Sequence, residues 1–183
     1  MQNETVALIV SFFAVVFVVI AYFCKNKSAY LLFQALSILC LAVSYFFSLE
    51  FFAMIGLSVS LCRTVVFFFY EKKGKEVPII GSYIFSGVTV LAYFLVNWVI
   101  LKTAKPIDII CVLSLIGYCF IFRIRNLQTV RYAMTVPLSL SIIYNIFCNA
   151  TIFAVASYSV ELVADLFSII KNRKRKEIVS QDK

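Results

Sequence analysis

Three charged residues stand inside otherwise apolar stretches of this chain: Arg63, Glu161 and Asp165. A charge near a bilayer centre costs about 2.5–3.5 kcal/mol on insertion scales, so such residues face a bundle interior and mark ion or substrate routes or inter-helix pairs. Glu161 and Asp165 are four residues apart on one helical face, where like charges repel. A compensating cation, or a carboxyl that keeps its proton, is therefore expected, and Arg63 is the candidate cation inside a span. Ser157 and Ser168 fall on the same face at helical spacing. The chemistry this set supports is binding: carboxylates take a proton or a cation, and a guanidinium countercharges them or holds an anion. The residues assigned to such a substrate or ion path are Arg63, Glu161, Asp165, Ser60, Ser157, Asn145 and Asn149. The plainer account of the same residues is that Arg63 pairs with one acid to hold helices together.

Other chemistries are poorly provided for. The chain has six cysteines without a C-x-x-C and no histidine, so a metal site of the usual Cys/His type is not expected. It lacks G-x-x-x-x-G-K-[ST], G-x-S-x-G and H-E-x-x-H. The longest connection, Glu71 to Pro78, is too short for a catalytic domain. Neither enzymatic activity nor a cofactor is expected.

The elements that must position these residues are membrane helices. Seven apolar stretches, 5–24, 30–48, 51–70, 79–101, 107–122, 132–148 and 150–170, each approach the roughly 20 residues that cross a hydrocarbon core as helix. The alternating segments of a β-barrel are absent. The predicted fold is all-α, a polytopic membrane protein with seven transmembrane helices in a single membrane domain, residues 1–183. The first stretch has neither a basic leader nor an A-x-A site, so it is expected to remain.

Basic residues orient the chain. Lys25 and Lys27, then Lys72, Lys73 and Lys75, then Arg123, Arg125 and Arg131, then the tail 171–183 fall on one side, while Lys102 and Lys105 alone mark the other. Excess Lys and Arg in short loops marks the cytoplasmic face, which puts the N-terminus outside and the C-terminus in the cytoplasm. The net charge of +8 is thus spread along one membrane face. The expected partners are the lipid bilayer and a small solute or proton, with no nucleic acid; a homo-oligomer stays open.

A shift of 99 residues lays the first three spans (5–70) on the last three (107–170), with 79–101 as an unmatched linker helix. Tyr45 falls on Tyr144, Ser58 on Ser157 and Phe68 on Phe167. Three spans are an odd number, so one intervening helix restores both copies to the same orientation. This 3+1+3 plan resembles SWEET and PQ-loop transporters, with the substrate path between the halves. The chain lacks their Pro-Gln pair, so a sugar substrate does not carry over.

Residues 43–67 (VSYFFSLEFFAMIGLSVSLCRTVVF), 148–161 (CNATIFAVASYSVE) and the FSIIKNRK ending resemble the YgjV family of small bacterial inner-membrane proteins, over about Phe33 to Arg173. Arg63-Thr64, Asn149, Glu161 and Ile169-Ile170 match what such proteins look like. Ser44 and Cys148 stand where a relative has histidine, and Ser60 where one has asparagine. The resemblance implies location and architecture, not a substrate. Together the residues imply a small-solute transporter or facilitator; the alternative is a non-transporting structural or regulatory membrane protein.

Polar stripes on other spans fit either account. Ser82, Ser86, Thr89, Tyr93 and Asn97 form one, Ser37, Ser44 and Ser48 another, and Ser141, Tyr144, Asn145 and Asn149 a third. Small hydroxylated residues of this kind also serve plain helix packing. The first span, with Ser11 alone at its centre, is predicted to face lipid.

Overall fold

A computed structural model of the chain describes the backbone of residues 2–47, 51–100, 102, 106–147 and 152–181. Ser48, Cys148 and Asn149 lie outside the described residues, as does the side chain of Asn97. Among the described residues the protein is all helical. Its elements are α1 (Gln2–Phe23), α2 (Lys27–Phe47), α3 (Phe51–Lys72), α4 (Ile79–Phe94), α5 (Asp108–Ile121), α6 (Leu127–Phe147) and α7 (Ile152–Gln181), with a π-helical turn, Leu95–Ile100, continuing α4. Three of these, Thr5–Phe23, Lys27–Phe47 and Met54–Lys72, are long and apolar enough to cross a membrane, and Ile79–Phe94 and Asp108–Ile121 are shorter apolar helices.

Local chemistry sets the boundaries. Helix α3 ends where Gly74 takes φ 66°, with the Lys75 N–H donating to Tyr70 O and the Gly74 N–H to Glu71 O, a left-handed cap that closes the last carbonyls. Pro78 then opens α4. Helix α6 begins at Leu127 rather than near 132, because Asn126 caps it: its Oδ1 accepts the Gln128 N–H at 2.9 Å and its carbonyl the Val130 N–H at 3.0 Å. Helix α7 runs on to Gln181, so the basic tail predicted after 170 is helical, as a run of Lys, Arg and Glu without Gly or Pro favours.

The distribution of polarity is inside out. Large apolar side chains such as Phe12, Leu39, Phe69, Ile84, Leu113, Val136 and Val163 are exposed on all seven helices, while Arg63, Arg131, Asp108, Glu161, Asp165 and a set of serines are buried. An apolar exterior with a polar interior suits hydrocarbon, where backbone groups are satisfied within helices and polar side chains within the bundle.

Each helix packs against the next, and α7 returns to α1, so the seven close into a ring. The α1–α2 contact is a seam of small residues. Ala7, Ser11, Ala14, Val18 and Ala21 alternate at spacings of four and three and are all buried. Across it the Ser11 and Ser44 hydroxyls meet at 2.7 Å, and Ser44 and Ser37 donate to the carbonyls of Ala7 and Ala14, each at 2.9 Å. Small residues let backbones approach where the surrounding solvent gives no hydrophobic drive. The lipid-facing reading of the first span is thereby corrected: one face carries Phe12 and Phe13, exposed, and the other is core. A parallel seam joins α5 to α6, where the Ser114 hydroxyl meets that of Ser141 at 2.7 Å and Pro137 O at 2.8 Å, beside Gly117.

One end of the ring gathers the basic connections. Lys27 pairs with Glu71 at 2.9 Å, Arg125 lies 3.9 Å from Glu76, and Arg123 Nε donates to Val77 O at 3.0 Å. Just inside that end lies the packed aromatic and aliphatic core, including Tyr22, Tyr30, Phe67, Phe122, Met134 and Leu138. Arg131, expected in a loop, is buried in the first turns of α6, where its Nη2 donates to Tyr22 O at 2.6 Å and Cys24 O at 2.8 Å. A guanidinium over the last carbonyls of α1 satisfies groups a helix end leaves bare and complements its dipole. Replacing Arg131 with Gln is expected to lower stability by about 2–3 kcal/mol, the scale of losing charged hydrogen bonds. Denaturant titration of the purified protein in detergent reads this directly, and an unshifted midpoint would show that the clamp contributes nothing.

Candidate functional site

Glu161 sits in the first third of α7 on a face whose Ser157, Glu161, Asp165 and Ser168 are all buried. Its Oε1 accepts the Tyr22 hydroxyl of α1 at 3.1 Å and the Gln34 amide of α2 at 3.0 Å. An acid from the last helix is thus held by donors from the first two. Hydrogen bonds to a charged acceptor contribute roughly 1.5–3 kcal/mol each.

Arg63 crosses in the opposite sense, from α3 to α5. It is 3% exposed. Its guanidinium carbon lies 5.7 Å from the Tyr118 ring centroid and 5.2 Å from that of Phe122. Cation–π contact of this kind is worth about 2 kcal/mol or more when desolvated. Nη1 reaches Leu115 O at 3.4 Å, a long contact, and the weak acceptor Cys119 Sγ at 3.5 Å, and Nε has no hydrogen-bond partner. Among the described residues the ion pairs are Lys27–Glu71 and Arg125–Glu76, so Arg63 does not pair with either acid of α7. The expectation that Arg63 compensates those acids is corrected here. Aromatic faces of α5 hold its guanidinium, and Glu161 already takes neutral donors.

Between these two residues is a cavity of about 60 Å³, lined from α1, α2, α3, α5 and α7. That is room for a few waters or a solute of similar size. Arg63, Ser60, Ser157 and Glu161, named from sequence, all line it, beside Gln34 and Tyr158. Tyr118 and Phe122 form its floor toward the basic end, and Tyr30 and Tyr22 continue the aromatic packing, with Tyr30 5.7 Å from Tyr22 and 6.2 Å from Phe122 between centroids.

The remaining predicted residues lie elsewhere. Asp165 is fully buried and is not part of the cavity wall; neither carboxylate oxygen has a hydrogen-bond partner. The charges that act on it are those of Glu161 and Arg131. Asn145 donates to Ser141 O of its own helix at 2.7 Å and does not line the cavity. Asn149 is outside the described residues.

Three contributors were missed in the sequence. Gln34 is an amide inside an apolar span, three residues before Ser37 on the stripe already noted, and its type was the available signal. Tyr22 gave none, since a tyrosine near a span end reads as an interface anchor. Arg131 was hidden by the misplaced start of α6, which the Asn126 cap would have corrected.

The different surroundings of the two acids separate their effects. Glu161→Gln keeps an acceptor for Tyr22 and Gln34 and is expected to cost under about 1.5 kcal/mol, whereas Glu161→Ala strands both donors and costs about 2–4 kcal/mol. Asp165→Asn removes no protein hydrogen bond and is expected to leave stability within about 1 kcal/mol of wild type or raise it. Thermal melts of the three variants test the ordering, and an Asp165→Asn protein less stable than Glu161→Ala would reverse it.

Comparison with known proteins adds location. The family model Imp-YgjV, described as bacterial inner membrane protein, matches residues 5–176. Neither a curated protein nor a solved structure matches the chain.

Proposed function

The chain belongs to the Imp-YgjV family of bacterial inner membrane proteins, and from that premise we propose that it is a small-solute transporter or facilitator rather than an enzyme. The observation that carries this reading is the cavity between α1–α3 and α5–α7, walled by Arg63 and Glu161 without an ion pair between them. Two opposite charges kept apart around a space are arranged for a third group. Helices joined only for stability would bring them into contact.

The path runs between two three-helix repeats, with α4 and its π-helical extension as the linker. Support comes from matching geometry. Helices α2 (Lys27–Phe47) and α6 (Leu127–Phe147) have the same length and are each preceded by an asparagine, at an offset one residue longer than the 99-residue shift of the sequence. Each repeat has a serine pair joining its first two helices, and each sends a charged residue from its third helix across to the other half. All seven helices span the membrane, with the basic end of the ring in the cytoplasm and the N-terminus outside. The aromatic floor of Tyr118, Phe122 and Tyr30 then closes the cavity toward the cytoplasm, and its opening is the second half of an alternating-access cycle.

A structural or regulatory role draws on one observation, that Glu161 ties α7 to α1 and α2. The two readings separate in proteoliposomes loaded with a panel of small solutes. The transport reading expects at least one solute to cross faster than through empty vesicles, with flux lost when Ser157→Phe fills the cavity. No flux for any solute, with Ser157→Phe stably folded, would leave the scaffold reading in its place.

A further inference from the structure

We propose that the Arg63 guanidinium is a receptor for a small monovalent oxyanion of the carboxylate type, bound in the cavity between the two halves. This deepens the transporter reading and rests on it for the cavity being a solute site. The three buried cations among the described residues are not alike. Lys27 has Glu71 at 2.9 Å, and Arg131 has two carbonyls at 2.6 and 2.8 Å. Arg63 has only a distant carbonyl and a thiol on Nη1, and nothing on Nε. A buried guanidinium that lacks a counterion is costly unless something supplies one.

The surroundings define what that something is. Tyr118 and Phe122 lie over the guanidinium carbon at 5.7 and 5.2 Å, which orients the planar group and leaves its edge for in-plane partners. Nε forms part of the side-on edge that pairs two oxygens of an oxyanion at once. Ser60 and Ser157, which line the same cavity, add hydroxyl donors. The volume of about 60 Å³ admits an anion of a few heavy atoms and not a sugar acid. Glu161 in the same wall opposes a second negative charge, so the ligand carries one.

The test uses the full chain, purified in detergent, with thermal unfolding followed against sodium formate and sodium acetate, and sodium gluconate at matched ionic strength as the oversized control. Formate and acetate are expected to raise the Tm saturably, gluconate is not, and Arg63→Gln should weaken formate binding by about tenfold or more, with Arg63→Lys intermediate. An equal response to gluconate, or an unchanged formate response in Arg63→Gln, overturns the proposal. Should Arg63→Gln not fold, Ser60→Phe keeps the guanidinium and fills the space, and a formate response that survives it also overturns the proposal. Flux assays keep the two readings distinguishable. Neutral solutes crossing without any formate binding would remove the anion site and keep the path, whereas formate binding without flux of any solute would keep the anion site and remove the path.

Discussion

The hydrogen bonds that Tyr22 and Gln34 donate to Glu161 join the last helix of the chain to the first two, and the ring depends on that junction. A ring of seven helices is open at α1 and α7 unless something closes it. In lipid, burial of apolar surface does little to draw two helices together, so closure falls to close packing and to polar groups that have no better partner. Glu161 is one such group. Ser168, reaching Tyr22 O at 3.5 Å, and Arg131, fixed to the last carbonyls of α1, complete the same seam.

The seam also dictates where the remaining polarity goes. With Glu161 satisfied by neutral donors, Arg63 has no acid within reach and settles instead against the aromatic rings of α5. The two charges thereby stand apart across a cavity, Glu161 anchored to α1 and α2 and Arg63 to the aromatic residues at the end of α5. This crossed anchoring ties α7 to α1 and α2, and α3 to α5, so parting these helices must loosen either the Glu161 bonds or the Arg63 stacking. Neither set contains an ion pair, so loosening it does not separate two buried charges that compensate each other.

The two ends of the ring differ in kind. At the basic end short connections carry ion pairs, and beneath them Tyr22, Tyr30, Phe122 and Met134 belong to the buried core. The cavity begins above this layer. Asp165 has both carboxylate oxygens unpartnered, and the positive charge that acts on it is that of Arg131.

Helix number, most boundaries, the shared face of Ser157, Glu161, Asp165 and Ser168, and the gathering of basic connections at one end were all determined by the sequence alone, because each follows from local hydropathy, helical period or capping. Arg63 and Glu161 were legible as unusual for the same reason: a charge inside an apolar run is visible without a fold. Their partners were not. That Glu161 takes Tyr22 and Gln34, that Arg63 takes two aromatic faces, and that Arg131 enters the bundle depend on which helices become neighbours around the ring. Only tertiary structure decides this, since the partners come from residues more than fifty positions away in the chain, where no periodicity reaches.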